Sequence, residues 1–123
     1  MMRRLPDAEF ELMKIIWQNK PPLTTNEIIE RLDPNVSWKP QTVLTMLIRL
    51  IEKGFLKSQR MGRERNYSPL ISQQEYMDIE TVDFVSRYSG NSVGNLVKTM
   101  HEARNMSTEE IKELINWLKG CRM

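Results

Sequence analysis

Residues 40 to 54, PQTVLTMLIRLIEKG, constrain the fold of this chain more than any other segment. Val43, Leu47, Leu50 and Gly54 follow an i, i+4, i+7, i+11 track with Met46 and Ile51 at its margins, which predicts a helix buried along one stripe. Pro40 suits the first turn, where its missing N–H is no loss, and Gly54 suits the C-terminal cap. The opposite side presents Gln41, Thr42, Leu44, Thr45, Ile48 and Arg49. What flanks this helix decides what its polar edge is for.

Two helices precede it. Pro6 and Asp7 open a pattern in which Phe10, Met13, Ile16 and Trp17 share one face, ending near Asn19 before Pro21 and Pro22. Thr24 followed three positions later by Glu27 fits a capping box, and Ile28, Ile29 and Leu32 then give a short amphipathic helix stopped by Asp33-Pro34. After Gly54 the period changes: FLKSQR and RNYSPL are strand-like and flank Met61-Gly62-Arg63, a hairpin tip. Ser72 and Glu75 form a second capping box, starting a helix that runs towards Tyr88 and stops at Ser89-Gly90-Asn91. Two further helices, about 92 to 104 and 108 to 119, complete the chain; Ser107 and Glu110 box the last and Gly120 closes it. The expectation is a mainly α chain with a small β-hairpin wing: an N-terminal winged helix-turn-helix over residues 1 to 71 and a helical region over 72 to 123. The boundary is expected near Leu70 to Ser72.

Composition removes several function classes. Cys121 is the only cysteine, so neither an internal disulfide nor a thiolate zinc site can form, and a reducing compartment is favoured. His101 is the only histidine, which excludes a histidine-based triad and a multi-histidine metal site within one chain and leaves a surface or interface role. The Asp and Glu residues between 75 and 83 read as a solvated helix face, and the nine methionines as core filler. No catalytic residue, metal or cofactor is expected, and the chain does not read as an enzyme. No stretch approaches the ~20 apolar residues of a membrane span, and MMRRLPDAEFELMKIIW brings acidic residues before a signal-type apolar region can develop. A cytoplasmic protein without membrane association is expected.

The net charge of +2 says little until it is located. Residues 1 to 71 hold twelve Lys and Arg against eight Asp and Glu, whereas residues 72 to 123 hold six against eight. From Lys39 to Arg65 there are seven basic residues (Lys39, Arg49, Lys53, Lys57, Arg60, Arg63, Arg65) against Glu52 and Glu64. By itself, a basic hairpin is explained by solubility and by protection against edge-to-edge strand pairing. Following a helix-turn-helix, it reads as a wing whose arginines grip phosphates or enter the minor groove of double-stranded DNA. Gln41 can bond adenine in bidentate fashion, Thr42 and Thr45 can reach several base edges, and Lys39, Arg49, Lys53, Arg60, Arg63 and Arg65 can hold the backbone. Leu44 and Ile48 are unusual on a solvated face; they either touch thymine methyls or pack against a neighbouring element. Trp17 is expected in the core, and Trp38 either packs under the third helix or touches the DNA backbone. A winged-helix module that binds an acidic protein instead of DNA is the alternative reading.

The tail carries two more apolar stripes. Val93, Leu96, Val97 and Met100 fall at i, i+3, i+4, i+7, and Ile111, Leu114, Ile115 and Leu118 repeat that spacing with Trp117 alongside. Three short helices make a thin core, so a twofold partner chain is the economical way to cover the stripes, packing within the monomer being the other.

In its order of helix, TTNEIIERL, TVLTMLIRLIEKGFL, a basic wing ending RNYSPLI and a helical tail with NLVKTM, the chain resembles the penicillinase and methicillin-resistance repressor family of winged-helix regulators. The resemblance covers nearly the whole chain. It implies a homodimeric repressor on a palindromic operator, controlling β-lactam resistance or a related stress response, with a C-terminal dimerisation region and induction by a sensor protease that clips the repressor. Two positions depart from the family pattern: Leu44 stands where a basic residue is usual, and Thr99-Met100 stands where better-known members are clipped at an Asn-Phe bond. The paired-cysteine tail of the copper-responsive branch is not supplied by Cys121 alone.

Overall fold

Helix α1 (Asp7–Gln18) begins after Pro6 and places Asp7 and Glu9 in its first turn, where the helix dipole favours negative charge. The computed structural model describes residues 4–121, and these fall into two compact units divided between Ile79 and Glu80. In the first unit Leu12, Met13 and Ile16 of α1 are wholly buried, and the Asn19 side-chain amide closes the helix by donating to the Ile15 carbonyl at 2.7 Å.

Strand β1 (Leu23–Thr24) ends on the residue that caps α2 (Thr25–Glu30). The Glu27 N–H donates to Thr24 Oγ1 at 3.1 Å while the Thr24 N–H donates to Glu27 Oε1 at 3.0 Å, so the capping box predicted from sequence is complete. Caps of this kind stabilise by about 1 kcal/mol. The bonds from the Thr24 backbone and hydroxyl hold the Glu27 carboxyl below its ordinary range.

Helix α3 (Pro40–Glu52) has Pro at its first position and buries Val43, Met46, Leu47 and Leu50. Met46, expected at the margin of the stripe, is core, and Ile51 is half-buried. The helix ends in a Schellman motif: the Gly54 N–H donates to the Ile51 carbonyl at 3.0 Å and the Phe55 N–H to the Leu50 carbonyl at 2.9 Å. Gly54 has φ of +84°, a conformation costing other residues about 1 kcal/mol or more. Phe55, delivered by this turn, is fully buried.

Strands β2 (Leu56–Met61) and β3 (Glu64–Pro69) pair antiparallel, with Met61 opposite Glu64 across a loop of Gly62 and Arg63. Gly62 has φ of +66° at the first loop position, as the II′ class of hairpin turn demands. Sheet order is β1-β3-β2, with Leu23 opposite Tyr67 and Thr24 opposite Asn66. The hairpin is foreshadowed by the sequence pattern but β1 is not, being too short to show a period.

Helix α4 (Gln73–Tyr88) starts on the expected box, the Glu75 N–H reaching Ser72 Oγ at 3.0 Å and the Ser72 N–H reaching Glu75 Oε1 at 3.1 Å. Its Tyr76 is buried, accepts the Leu5 N–H at 2.9 Å, and lies 5.5 to 5.8 Å from the rings of Phe10, Trp17 and Phe55. The indole N–H of Trp17 donates to the Ile71 carbonyl at 2.9 Å. These contacts carry the first unit to Ile79, beyond the boundary expected at residue 71.

The second unit holds the rest of α4 with α5 (Val93–Glu102) and α6 (Thr108–Gly120). Ser92 and Ser107 cap α5 and α6 by accepting from the Asn95 and Glu110 N–H groups, each at 3.1 Å. Helix α5 also ends in a Schellman motif, the Arg104 N–H on His101 O at 2.9 Å and the Asn105 N–H on Met100 O at 3.0 Å. Here the left-handed position, φ 58°, is filled by Arg104 and not glycine. No residue of α5 or α6 is buried.

Candidate nucleic-acid interface

The burial of Val43, Met46, Leu47 and Leu50 turns the other edge of α3 outward. Gln41, Thr42, Ile48 and Arg49 are exposed there, while Leu44 and Thr45 are half-buried. Lys39 precedes the helix and is exposed. Thr45 Oγ1 donates to the Gln41 carbonyl at 2.9 Å, so its one proton is engaged in the helix. What Thr45 offers outward is an acceptor oxygen and a methyl group. Trp38 packs against the core, which accounts for its position without a nucleic-acid contact.

Strand alternation sets the wing's chemistry. Leu56, Ser58 and Arg60 share one face with their partners Pro69, Tyr67 and Arg65. The inner end of that face enters the core through Leu56 and Tyr67, and its outer end runs past the core carrying arginines. Arg60 and Arg65 stand directly opposite one another, an arrangement that like charges make unfavourable by a few tenths to about 1 kcal/mol. Arg65 Nη1 donates to Ser58 Oγ at 3.0 Å and Arg60 Nε to the Gly62 carbonyl at 3.3 Å. A phosphate placed against the pair converts repulsion into charge-assisted hydrogen bonding.

Wing, α2 and α3 meet around an open hollow of about 330 Å³ lined by Thr24, Thr25, Asn26, Leu44, Arg63, Glu64, Arg65 and Tyr67. The structure thus brings Leu44 of α3 together with Arg63 and Arg65 of the wing. Arg60 is not among the lining residues, and Lys53 is occupied elsewhere: its ammonium is hydrogen-bonded to the carboxylate of Glu9, the buried acid of α1, which is 4% exposed. Lys53 was expected on DNA; the structure gives it a partner inside the protein. The sequence carries a signal for this pairing: Glu9 lies at i−4 and i−7 from Met13 and Ile16, an acid in line with an apolar stripe.

In the second unit, the residues expected at a dimer interface are exposed or half-buried. Val93 and Trp117 are each 65% exposed, Leu118 54%, Ile115 47% and Met100 38%, while Leu96, Val97, Ile111 and Leu114 are half-buried. Val82, Phe84 and Tyr88 of α4 are further exposed apolar residues, which no stripe in the sequence singles out. Thr99 and Met100, at the expected clipping position, are both exposed on α5.

The penicillinase repressor family model matches residues 5–120. The penicillinase repressor of Bacillus licheniformis is 36% identical over 121 residues, spanning 96% of this chain and 94% of that protein. The methicillin resistance regulatory protein MecI of Staphylococcus aureus is 30% identical over 114 residues, spanning 93% and 92%. Among solved structures, the monomeric form of Bacillus licheniformis BlaI in complex with the blaP half-operator is 41% identical with a TM-score of 0.53, covering 62% of this chain and 92% of that one. With a winged helix-turn-helix in its first unit and relatives matched along almost its whole length, the chain belongs to the penicillinase repressor family, whose members are transcriptional repressors and not enzymes.

Proposed function

We propose that this repressor acts in the cytoplasm as a homodimer on an inverted-repeat operator of double-stranded DNA, one recognition helix entering the major groove of each half-site. Gln41, Thr42, Leu44 and Thr45 read bases, while Lys39, Arg49, Arg60, Arg63 and Arg65 hold the backbone. The observation that carries this reading is the hollow bounded by Leu44, Arg63 and Arg65, which aligns the exposed edge of α3 with the basic wing. The relatives' names make β-lactam resistance genes the first targets to examine.

The open stripes of α5 and α6 support pairing of second units, because large apolar side chains left exposed along two helices are unfavourable in water unless a partner covers them. Thr99 and Met100 are exposed on α5, and cleavage between them by a sensor protease would detach Met100 from the rest of the α5 stripe and weaken the dimer.

A gel-shift titration against DNA upstream of the chain's own gene, at several salt concentrations, tests the reading. Affinity should fall steeply with salt, and Arg63→Ala with Arg65→Ala should weaken binding to every sequence and reduce the slope by about 0.9 for each phosphate no longer neutralised. Gln41→Ala should change sequence preference instead. Unchanged affinity of the wing variants at all salt concentrations would remove the wing assignment, and absence of binding at low salt would favour a protein-binding role.

A further inference from the structure

Two large apolar side chains lie one helical turn apart on the edge of α3 assigned to base reading: Leu44, half-buried at the hollow, and Ile48, 55% exposed. Thr45, between them in sequence, has its hydroxyl proton engaged by the Gln41 carbonyl and so offers no donor to a base. Ile48 is solvated and Leu44 faces open space next to the wing, so neither is placed there to complete the core. The major groove presents one apolar group, the 5-methyl of thymine. Resting on the operator-binding reading above, we infer that Leu44 and Ile48 are specificity-determining residues that recognise thymine methyl groups.

The spacing adds a geometric requirement. Residues four apart on a helix are separated by about 6 Å along its axis, and successive base pairs by about 3.4 Å. With the helix lying along the groove, the two side chains meet thymines about two steps apart, on the same or on opposite strands. The charge of a basic side chain at position 44 would seek guanine or phosphate; Leu44 shifts the preference towards A·T pairs at its step.

The test uses the full chain and a pool of random duplexes. After selection of the preferred sequence, each thymine is replaced singly by deoxyuridine, which removes the methyl and keeps every hydrogen-bonding group. Binding should weaken roughly threefold to tenfold at two positions about two steps apart, as burial of one methyl predicts, and by less than twofold elsewhere. Ile48→Ala, at a position open enough to spare the fold, should abolish the penalty at one of them, and Leu44→Ala at the other. Penalties below twofold at every thymine, or penalties undiminished in both variants, would overturn the inference. Tight binding with no enriched sequence would instead overturn the operator reading on which it rests.

Discussion

Lys53 provides the sharpest test of how α3, the helix proposed to read bases, is held. Its ammonium bonds the carboxylate of Glu9, whose side chain is only 5% exposed, while the Lys53 side chain itself is 35% exposed. Removing one partner of a fully buried pair costs about 3–5 kcal/mol, because the other charge is left without compensation. Water can reach the lysine side, so the expected cost of Lys53→Met is reduced to about 2–3 kcal/mol. For a unit of this size that corresponds to a fall in Tm of roughly 10–20 °C. Unfolding followed by the fluorescence of Trp17 and Trp38, in a Trp117→Phe background, reports on the first unit alone. Glu9→Leu combined with Lys53→Met should recover most of the loss, since apolar replacement of both partners is often close to neutral. If Lys53 served DNA instead, Lys53→Met would leave stability within about 0.5 kcal/mol of the parent and flatten the salt dependence of binding; that outcome would refute the structural role.

Arg104 occupies a left-handed C-terminal position at φ 58°, so Arg104→Gly should stabilise the second unit by about 1 kcal/mol, measurable by chemical denaturation. The Glu27 carboxyl is held below its unfolded value by the bonds from Thr24, so its contribution to the start of α2 is complete above the unfolded carboxylate value of about 4.3 and is lost as pH falls through the lower folded value. An NMR titration of the Thr24 amide should follow that loss, and Glu27→Gln should remove it. Leu118→Lys, on the open stripe of α6, should shift sedimentation towards a single chain and lower operator affinity without altering the first unit's unfolding.

Local chemistry is legible along most of the chain. Thr24 with Glu27, Ser72 with Glu75, Pro40 with Gly54, and Gly62 at the wing tip each satisfy a rule that operates within a few residues, and the structure uses each in that way. What escapes depends on distance. Strand β1 exists because Leu23 and Thr24 meet Tyr67 and Asn66. Lys53 resembles another basic residue of the DNA surface because Glu9 lies 44 positions away. The first unit reaches Ile79 because Tyr76 enters an aromatic group gathered from α1 and the turn after α3. At the candidate site, residue types and the helix edge are readable in advance, whereas the common hollow of Leu44, Arg63 and Arg65 requires the register of the sheet.

Thr24 belongs at once to β1, whose neighbour is the inner strand of the wing, and to the cap of α2. One residue thereby joins the wing's sheet to the start of α2, and α2 in turn packs against α3, the helix proposed to read bases, so the fold sets the opening between wing and α3. Where helix groove and flanking strand do not match that opening, the accommodation has to come from the duplex, by bending or by a change of groove width. Flexible steps such as TA, lying where neither α3 nor the wing reaches, are therefore expected to raise affinity, so that stiffness of the DNA becomes part of the address.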